Sequence, residues 1–349
     1  MDSAVIETLF APLRDNTLSV PSSGRCLFLR AEATPHLRML GASLVCVQSF
    51  KPYADALAAN GHTPIPHRAE GQFDLVLLIP SRQRDETRAA LVEAARYVNE
   101  RGVILLGAAN DGGARSLQRD ASALLGTVQS AAMNKCRALW SVAAQRRIDE
   151  PLAQAWTAAM QPLPVPGTLL LSAPGMFSCH RVDAGSALLA AHLPGDLAGI
   201  GADLGAGWGY LSASALQRCQ GVQALHLYEA DHAAVALARR NLESLPTSSA
   251  GAIAARAKFF WHDVTQGLPH TYDFIVSNPP FHMTRAGQPE IGQQFIRRAA
   301  QALKPGGRFW LVANRHLPYE TVLRSAFAVV EKRAEADGFK VIEAKKGGG

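Results

Sequence analysis

The chain has 349 residues, of which 48% are hydrophobic and 18% charged, with a net charge of +6 and a pI near 9.2. That is more chain than one hydrophobic core fills, so two domains are expected, and no long stretch is poor enough in apolar residues to stay unfolded away from the ends. No apolar run approaches the roughly 20 residues of a membrane span, and the cysteines at 26, 46, 136, 179 and 219 form no C-x-x-C pair, which argues against a zinc site or a disulfide framework.

The opening "MDSAVIETLF" carries acidic residues where a signal peptide would be basic, so a soluble cytoplasmic protein is expected. Of the 35 Lys and Arg residues only eight are Lys. Guanidinium groups suit bidentate phosphate contacts and stacking on bases, so this balance permits a polyanionic partner, although the base composition of the source genome would produce the same bias.

In the first half, "FDLVLLIP" (73–80), a helical "TRAALVEAARYVNERG" and "VILLGAAN" (103–110) read as strand, helix, strand. Residues 151–175 then contain Pro151, Pro162, Pro164, Pro166 and Pro174, a density that blocks helix interiors and central strands and places a domain boundary near 160. Beyond it, "GIGADL", "ALHLYE", "AKFFWHD", "YDFIVSN" and "RFWLVAN" alternate with helical segments. That alternation predicts an α/β fold with a doubly wound, Rossmann-like parallel sheet. The first half echoes the second, with Asp74 to Asn110 matched to Asp273 to Asn314. Two tandem copies of one unit are therefore expected, over 1–160 and 161–349. The first copy has no glycine-rich loop and has Ile79-Pro80 where the second has Asn278-Pro279-Pro280-Phe281.

"ADLGAGWGY" places Asp203 at a strand end, followed by Gly205, Gly207 and Gly209 ahead of a helix. Glycines permit a tight turn and close approach to a ligand, with helix N–H groups aimed at it. A dinucleotide fingerprint fails here, because the sixth position counted from Gly205 is Tyr210. The next strand ends in Glu229, placed to accept hydrogen bonds from a ribose diol, while neighbouring Asp231 is placed to cap the following helix.

The strand "YDFIVS" should deliver Asn278 to the carboxyl edge of the sheet, where open α/β folds bind ligands. An amine on an aromatic ring is a poor nucleophile until it pyramidalises, and two acceptors aimed at its hydrogens favour that geometry. The Asn278 side-chain oxygen and the Pro279 carbonyl can supply them, the two prolines hold the backbone rigid, and Phe281 can stack on the ring. His282 is read as a loop residue outside this set.

The D-x-G-x-G-x-G spacing resembles motif I of class I methyltransferases, which bind S-adenosylmethionine. Asn278-Pro279-Pro280-Phe281 resembles the signature of amino-methyltransferases acting on adenine N6, guanine N2 or glutamine N5. With "PGMFSCHRVDAGSALL" (174–189), "LKPGGRFWLVANRHLPYE" (303–320) and "FKVIEAKK", the chain resembles the guanine-N2 methyltransferases of ribosomal RNA, nearest the small-subunit (16S) family. That family has two tandem methyltransferase-like domains, of which only the C-terminal one keeps the cofactor loop.

The resemblance implies S-adenosylmethionine bound by Asp203, Gly205, Gly207, Gly209, Glu229, Asp263 and Asn278, with Asp263 against the adenine amine. It implies catalysis by Asn278, Pro279, Pro280 and Phe281, and substrate contacts from Phe177, Phe281, Arg285 and Arg315. Asp183 and Ser186 are expected to help close the pocket. Arg297, Arg298, Lys345 and Lys346 are further candidates for the RNA backbone, although Arg297 and Arg298 cannot both face one phosphate track. The expected partner is ribosomal RNA or the small subunit, met by a monomer without metal or membrane. Large-subunit (23S) RNA, release-factor glutamine and a non-catalytic assembly role are the alternatives. One departure stands out: Cys179 follows Ser178 where the family usually has a basic residue, and His180 and Arg181 come after it.

Overall fold

The computed structural model describes residues 3–19, 24–41, 43–246, 253–280 and 289–348. The chain divides into two compact units, Met1–Gln161 and Pro162–Gly349, with the division inside the proline-rich stretch. Among the described residues no helix is long and apolar enough to cross a membrane.

The first unit runs α1 (Ser3–Arg14), β1 (Cys26–Leu29), β2 (Leu44–Val47), α2 (Lys51–Ala59), β3 (Phe73–Leu78), α3 (Arg84–Tyr97), β4 (Val98–Ala109), α4 (Ala114–Leu125), β5 (Gln129–Met133), β6 (Cys136–Val142) and α5 (Glu150–Ala158). Its sheet has the order β2-β1-β3-β4-β6-β5, with β6 antiparallel to β4 and β5 antiparallel to β6. Strands β1 and β3 are apolar at almost every position because both faces are covered. Leu27, Leu29, Val76 and Leu78 pack with residues of α3, α4 and α5, whereas Phe28, Leu75 and Leu77 pack with Leu9 and Phe10 of α1.

The second unit opens with a two-stranded ribbon, β7 (Leu163–Pro164) and β8 (Leu171–Ser172). It continues through α6 (Ala184–His192), β9 (Gly199–Leu204), α7 (Tyr210–Arg218), β10 (Val222–Glu229), α8 (His232–Glu243), α9 (Ile253–Arg256) and β11 (Ala257–Trp261). Then come β12 (Tyr272–Ser277), α10 (Pro289–Ala302), β13 (Leu303–Asn314), α11 (Glu320–Ala326), β14 (Val329–Ala336) and β15 (Phe339–Lys345). The sheet order is β11-β10-β9-β12-β13-β15-β14, parallel from β11 to β13 and antiparallel beyond. The chain winds one way from β9 and returns to its other side at β12. The carboxyl ends of β9 and β12 therefore flank the point where winding reverses, which is where such sheets open a crevice.

Both units are Rossmann-like and share more than strand order. Strands β4 and β13 have the same burial pattern over all 12 residues. Asp74 at the start of β3 accepts the Arg25 backbone N–H at 2.8 Å, and Asp273 at the start of β12 accepts that of Ile200 at 2.8 Å. The register corrects the expected match by one residue: Ala109 pairs with Cys136 as Asn314 pairs with Phe339, so Ala109, not Asn110, is the counterpart of Asn314. The units diverge at the carboxyl edge. After β1 the first unit turns at Arg30 (φ 57°) into a short 3-10 segment, Pro35–Leu40, where the second has its glycine loop and α7. After β3 it buries Ile79 ahead of Pro80.

Candidate active site

The glycine loop follows β9 directly. Gly205, Gly207 and Gly209 have φ of 75°, 54° and 93°, a region costly for residues with a Cβ. The N–H groups of Gly205 and Ala206 donate to the Tyr228 carbonyl at 2.9 and 3.1 Å, and that of Gly209 donates to the Ala206 carbonyl at 2.9 Å. Each glycine has its own spatial reason. A Cβ on Gly209 would lie 2.9 Å from Leu242 Cδ1, against α8, and one on Gly205 would lie 3.4 Å from the Phe295 ring. A Cβ on Gly207, which lines the cleft, would meet nothing within 4 Å.

Glu229 ties this loop to the end of β10. Its Oε2 accepts the Gly207 N–H at 2.9 Å and its Oε1 accepts the Asp231 N–H at 2.9 Å. Burial raises its pKa against the opposing pull of these N–H groups. Asp231 caps α8 by accepting the Ala233 N–H at 3.0 Å, the structural duty expected of it.

Asp203, near the end of β9 just before the loop, is fully buried and does not line the cleft. Its Oδ2 accepts the Ser212 hydroxyl at 2.7 Å, while Oδ1 has no partner among the described residues. Burial pushes its pKa up to about 7 from 3.8; the Ser212 bond opposes this and the Glu229 charge adds to it. Between those two values the native state holds a proton that the unfolded chain has released. Stability from this group is therefore full below about pH 4 and is lost as pH rises to about 7. Asp203→Asn removes that titration. Urea unfolding near pH 5, 6, 7 and 8 should show the variant gaining on the wild-type protein, by at most about 1.4 kcal/mol per pH unit, with no further gain above neutrality.

Asn278 sits at the carboxyl end of β12, half-buried, with Pro279 buried behind it. Its neighbour Ser277 donates its hydroxyl to the Leu204 carbonyl at 2.7 Å, locking β12 to β9 at this edge. The Asn278 Nδ2 donates to Asp183 Oδ2 at 2.9 Å and to Ser186 Oγ at 2.8 Å. Asp183 is also the N-cap of α6, accepting the Ser186 N–H at 2.8 Å. One cleft is thus lined by Asn278, Asp183, Ser186, Gly205, Gly207 and Phe177.

Phe177 is 55% exposed at the cleft, which rules out a core role for it. The Trp208 indole N–H donates to the Phe177 carbonyl at 3.0 Å, so the 174–183 segment is anchored on the glycine loop although Cys179 replaces the usual basic residue. Phe281 and Arg285 lie outside the described residues. Arg315 follows β13 at the carboxyl edge, half-exposed and paired with Glu335 at 3.6 Å. Asp263 caps the turn after β11, with Oδ1 accepting the Thr265 N–H and hydroxyl at 2.9 and 2.7 Å, and lines no part of this cleft.

Two groups of candidate RNA-binding cations are otherwise employed. Arg298 donates to the Thr265 carbonyl at 2.9 Å, and Lys346 donates to the Leu303 and Gln301 carbonyls at 2.7 and 3.3 Å. Lys345 pairs in register with Arg308 near the amino end of β13, so it and Lys346 lie at the sheet edge opposite Asn278. Sequence reading missed Asn241. Buried on α8, it accepts the Leu171 N–H and donates to the Leu171 and Trp208 carbonyls, all at 2.8 Å, bracing the glycine loop. Its signal is a lone amide on the helix face that carries Ala234, Leu237 and Ala238.

The family described as methyltransferase small domain matches residues 167–343. Ribosomal RNA small subunit methyltransferase C of Shewanella amazonensis is 30% identical over 280 residues, covering 79% of this chain and 78% of its own length. The chain belongs to this methyltransferase family. The namesake from Shewanella pealeana is 27% identical over 340 residues, spanning 94% of this chain and 96% of its own. Among solved structures, the T. thermophilus 16S rRNA N2 G1207 methyltransferase, in complex with AdoMet and guanosine, superposes with a TM-score of 0.78 at 26% identity, covering 98% of this chain and 91% of that one. Family and tandem architecture therefore agree with the resemblance read from the motifs.

Proposed function

We propose that this protein methylates the exocyclic N2 amine of a guanine in 16S ribosomal RNA, using S-adenosylmethionine, as a monomer in the cytoplasm. The observation that carries the reading is the Asn278 amide: its nitrogen is engaged by Asp183 and Ser186, and among the described residues Oδ1 is left as a free acceptor beside the glycine loop.

The loop suits the cofactor, because the space a Cβ on Gly207 would fill is open, and Glu229, which does not itself line the cleft and already accepts one N–H on each oxygen, keeps further lone pairs for a ribose diol. Gly205, Gly207 and Glu229 would hold it, with Asp203 and Gly209 fixing the loop's shape and Asp263 at the next strand end. S-adenosylmethionine supplies an electrophilic methyl group on a sulfonium whose positive charge disappears on transfer. The chain's own residues position the nucleophile. Asn278 Oδ1 and the Pro279 carbonyl accept the two amine hydrogens, draw the lone pair out of conjugation and stabilise the positive charge that builds on nitrogen. No strong base is required, since the proton acidifies as the bond forms and can leave to water. Phe177 and Phe281 offer aromatic faces to the base, and Arg285 and Arg315 offer guanidinium groups to the RNA backbone.

A guanine inside a helix cannot reach this cleft, so the target base leaves its stack or lies in open RNA. The N-terminal unit, lacking the loop and the Asn-Pro-Pro-Phe run, serves RNA contact or support of the catalytic unit. Transfer of labelled methyl from S-adenosylmethionine to purified 16S RNA, 23S RNA and isolated subunits, followed by nucleoside analysis, tests the reading. N2-methylguanosine confined to small-subunit material is expected. Label in 23S RNA, or in release-factor protein alone, would overturn it.

A further inference from the structure

A primary amide has two N–H bonds, and at Asn278 both are taken: one by the Asp183 carboxylate at 2.9 Å and one by the Ser186 hydroxyl at 2.8 Å. Asp183 cannot swing away easily, because the same Oδ2 caps α6 by accepting the Ser186 backbone N–H at 2.8 Å. A carboxylate only accepts. If the Asn278 amide turned over, its oxygen would face that carboxylate and both N–H bonds would lose their partners.

We infer that Asp183 and Ser186 form an orienting clamp, which selects the one amide rotamer that presents Asn278 Oδ1 to the incoming amine. An asparagine at a reacting centre is otherwise ambiguous, since its two ends have nearly the same shape and opposite hydrogen-bonding character. In the turned state Asn278 would aim N–H donors at the amine, compete for its lone pair and oppose the reaction. The clamp removes that state before substrate arrives. It comes from a single helical turn: the N-cap carboxylate and the hydroxyl three residues on, both reaching a strand end more than 90 residues away in the chain. Asp183 and Ser186 act through Asn278 in this role and are positioning residues. The inference rests on the proposed methylation of an amine.

Asp183→Asn weakens the clamp while keeping the cap. The one oxygen it has to cap α6 is also the one that faces Asn278, so the acceptor stays in place but loses its charge and much of its hold on the amide. With small-subunit material as substrate, kcat should fall about tenfold or more, the size expected when a charged hydrogen-bond acceptor is exchanged for a neutral one. KM for the RNA, affinity for S-adenosylmethionine and the melting temperature should stay close to wild type. Asn278→Asp alone sets two carboxylates against each other and should lose far more activity. Joining it with Asp183→Asn removes the clash of two carboxylates, and should recover at least about tenfold over Asn278→Asp alone. A wild-type rate for Asp183→Asn, or a double variant no better than Asn278→Asp, would reduce Asp183 to a helix cap and overturn the clamp.

A readout without RNA keeps the two claims apart. In protein with 15N-labelled asparagine, the Asn278 side-chain NH2 protons should be protected from exchange, and Asp183→Asn should lower that protection. Protection unchanged by the substitution overturns the clamp. Failure of the wild-type protein to methylate any RNA would overturn the substrate reading and leave this measurement to decide the geometry.

Discussion

Asn278→Ala should lower the methyl-transfer rate by roughly 10²- to 10³-fold, the range for deleting one preorganised group at a reacting centre, while S-adenosylmethionine binds almost as before. The reason is where Asn278 spends its bonds. Its nitrogen is held by α6 and its side-chain oxygen is left for the amine, so truncation deletes an interaction that matters when the amine pyramidalises. Some stability goes as well, because Asp183 and Ser186 lose a shared donor. Single-turnover transfer and equilibrium cofactor titration on the same preparation separate the effects. A parallel fall in cofactor affinity would show that Asn278 mainly holds the donor, and its role at the amine would have to be abandoned.

Gly207→Leu should do the reverse, cutting cofactor affinity by roughly 10²-fold or more, as expected when several side-chain atoms are forced into a ligand's space. Gly207 lines the cleft, and a side chain here meets no protein atom at Cβ. Leucine, unbranched at Cβ, still bears the left-handed backbone cost of about 1–2 kcal/mol, so some loss of stability accompanies it. Gly209→Ala is the matched control. It carries the same backbone cost, but its Cβ would press on Leu242 at 2.9 Å, so stability should suffer more than binding. Urea unfolding and cofactor titration of the two variants should rank them in opposite orders; the same order in both would mean that the loop tolerates no separation of fold from site.

Much of the second unit was legible because burial on both faces makes its strands nearly continuous apolar runs, and because a left-handed turn at a strand end demands glycine. Asn278 was legible for a related reason: only a strand end explains Ser277 and Asn278 directly after "YDFIV". Other parts were not. Strand β14, "VVEKRAEA", is mostly exposed and charged, so its pairing with β15 leaves no alternation to read. Asp203 precedes the glycines as a ligand would, and nothing local tells that it faces Ser212 across the first turn of α7. Lys346 and Arg298 look like free cations in one dimension. In three they close carbonyls left open at the end of α10 and in the turn after Asp263.

Asp74 and Asp273 anchor the first strand of their sheets in the same way, and β4 and β13 bury the same positions, yet the two carboxyl edges have nothing chemical in common. Within one polypeptide, the amino edge thus has the same scaffold in both units, while only one carboxyl edge carries the glycine loop and Asn278. Damage at Asp273 should therefore resemble damage at Asp74, showing up as poor folding yield and early melting, and surviving molecules should still turn over at the normal rate. Loss of function would then be read in how much protein accumulates, and the chemistry of each remaining copy would look untouched.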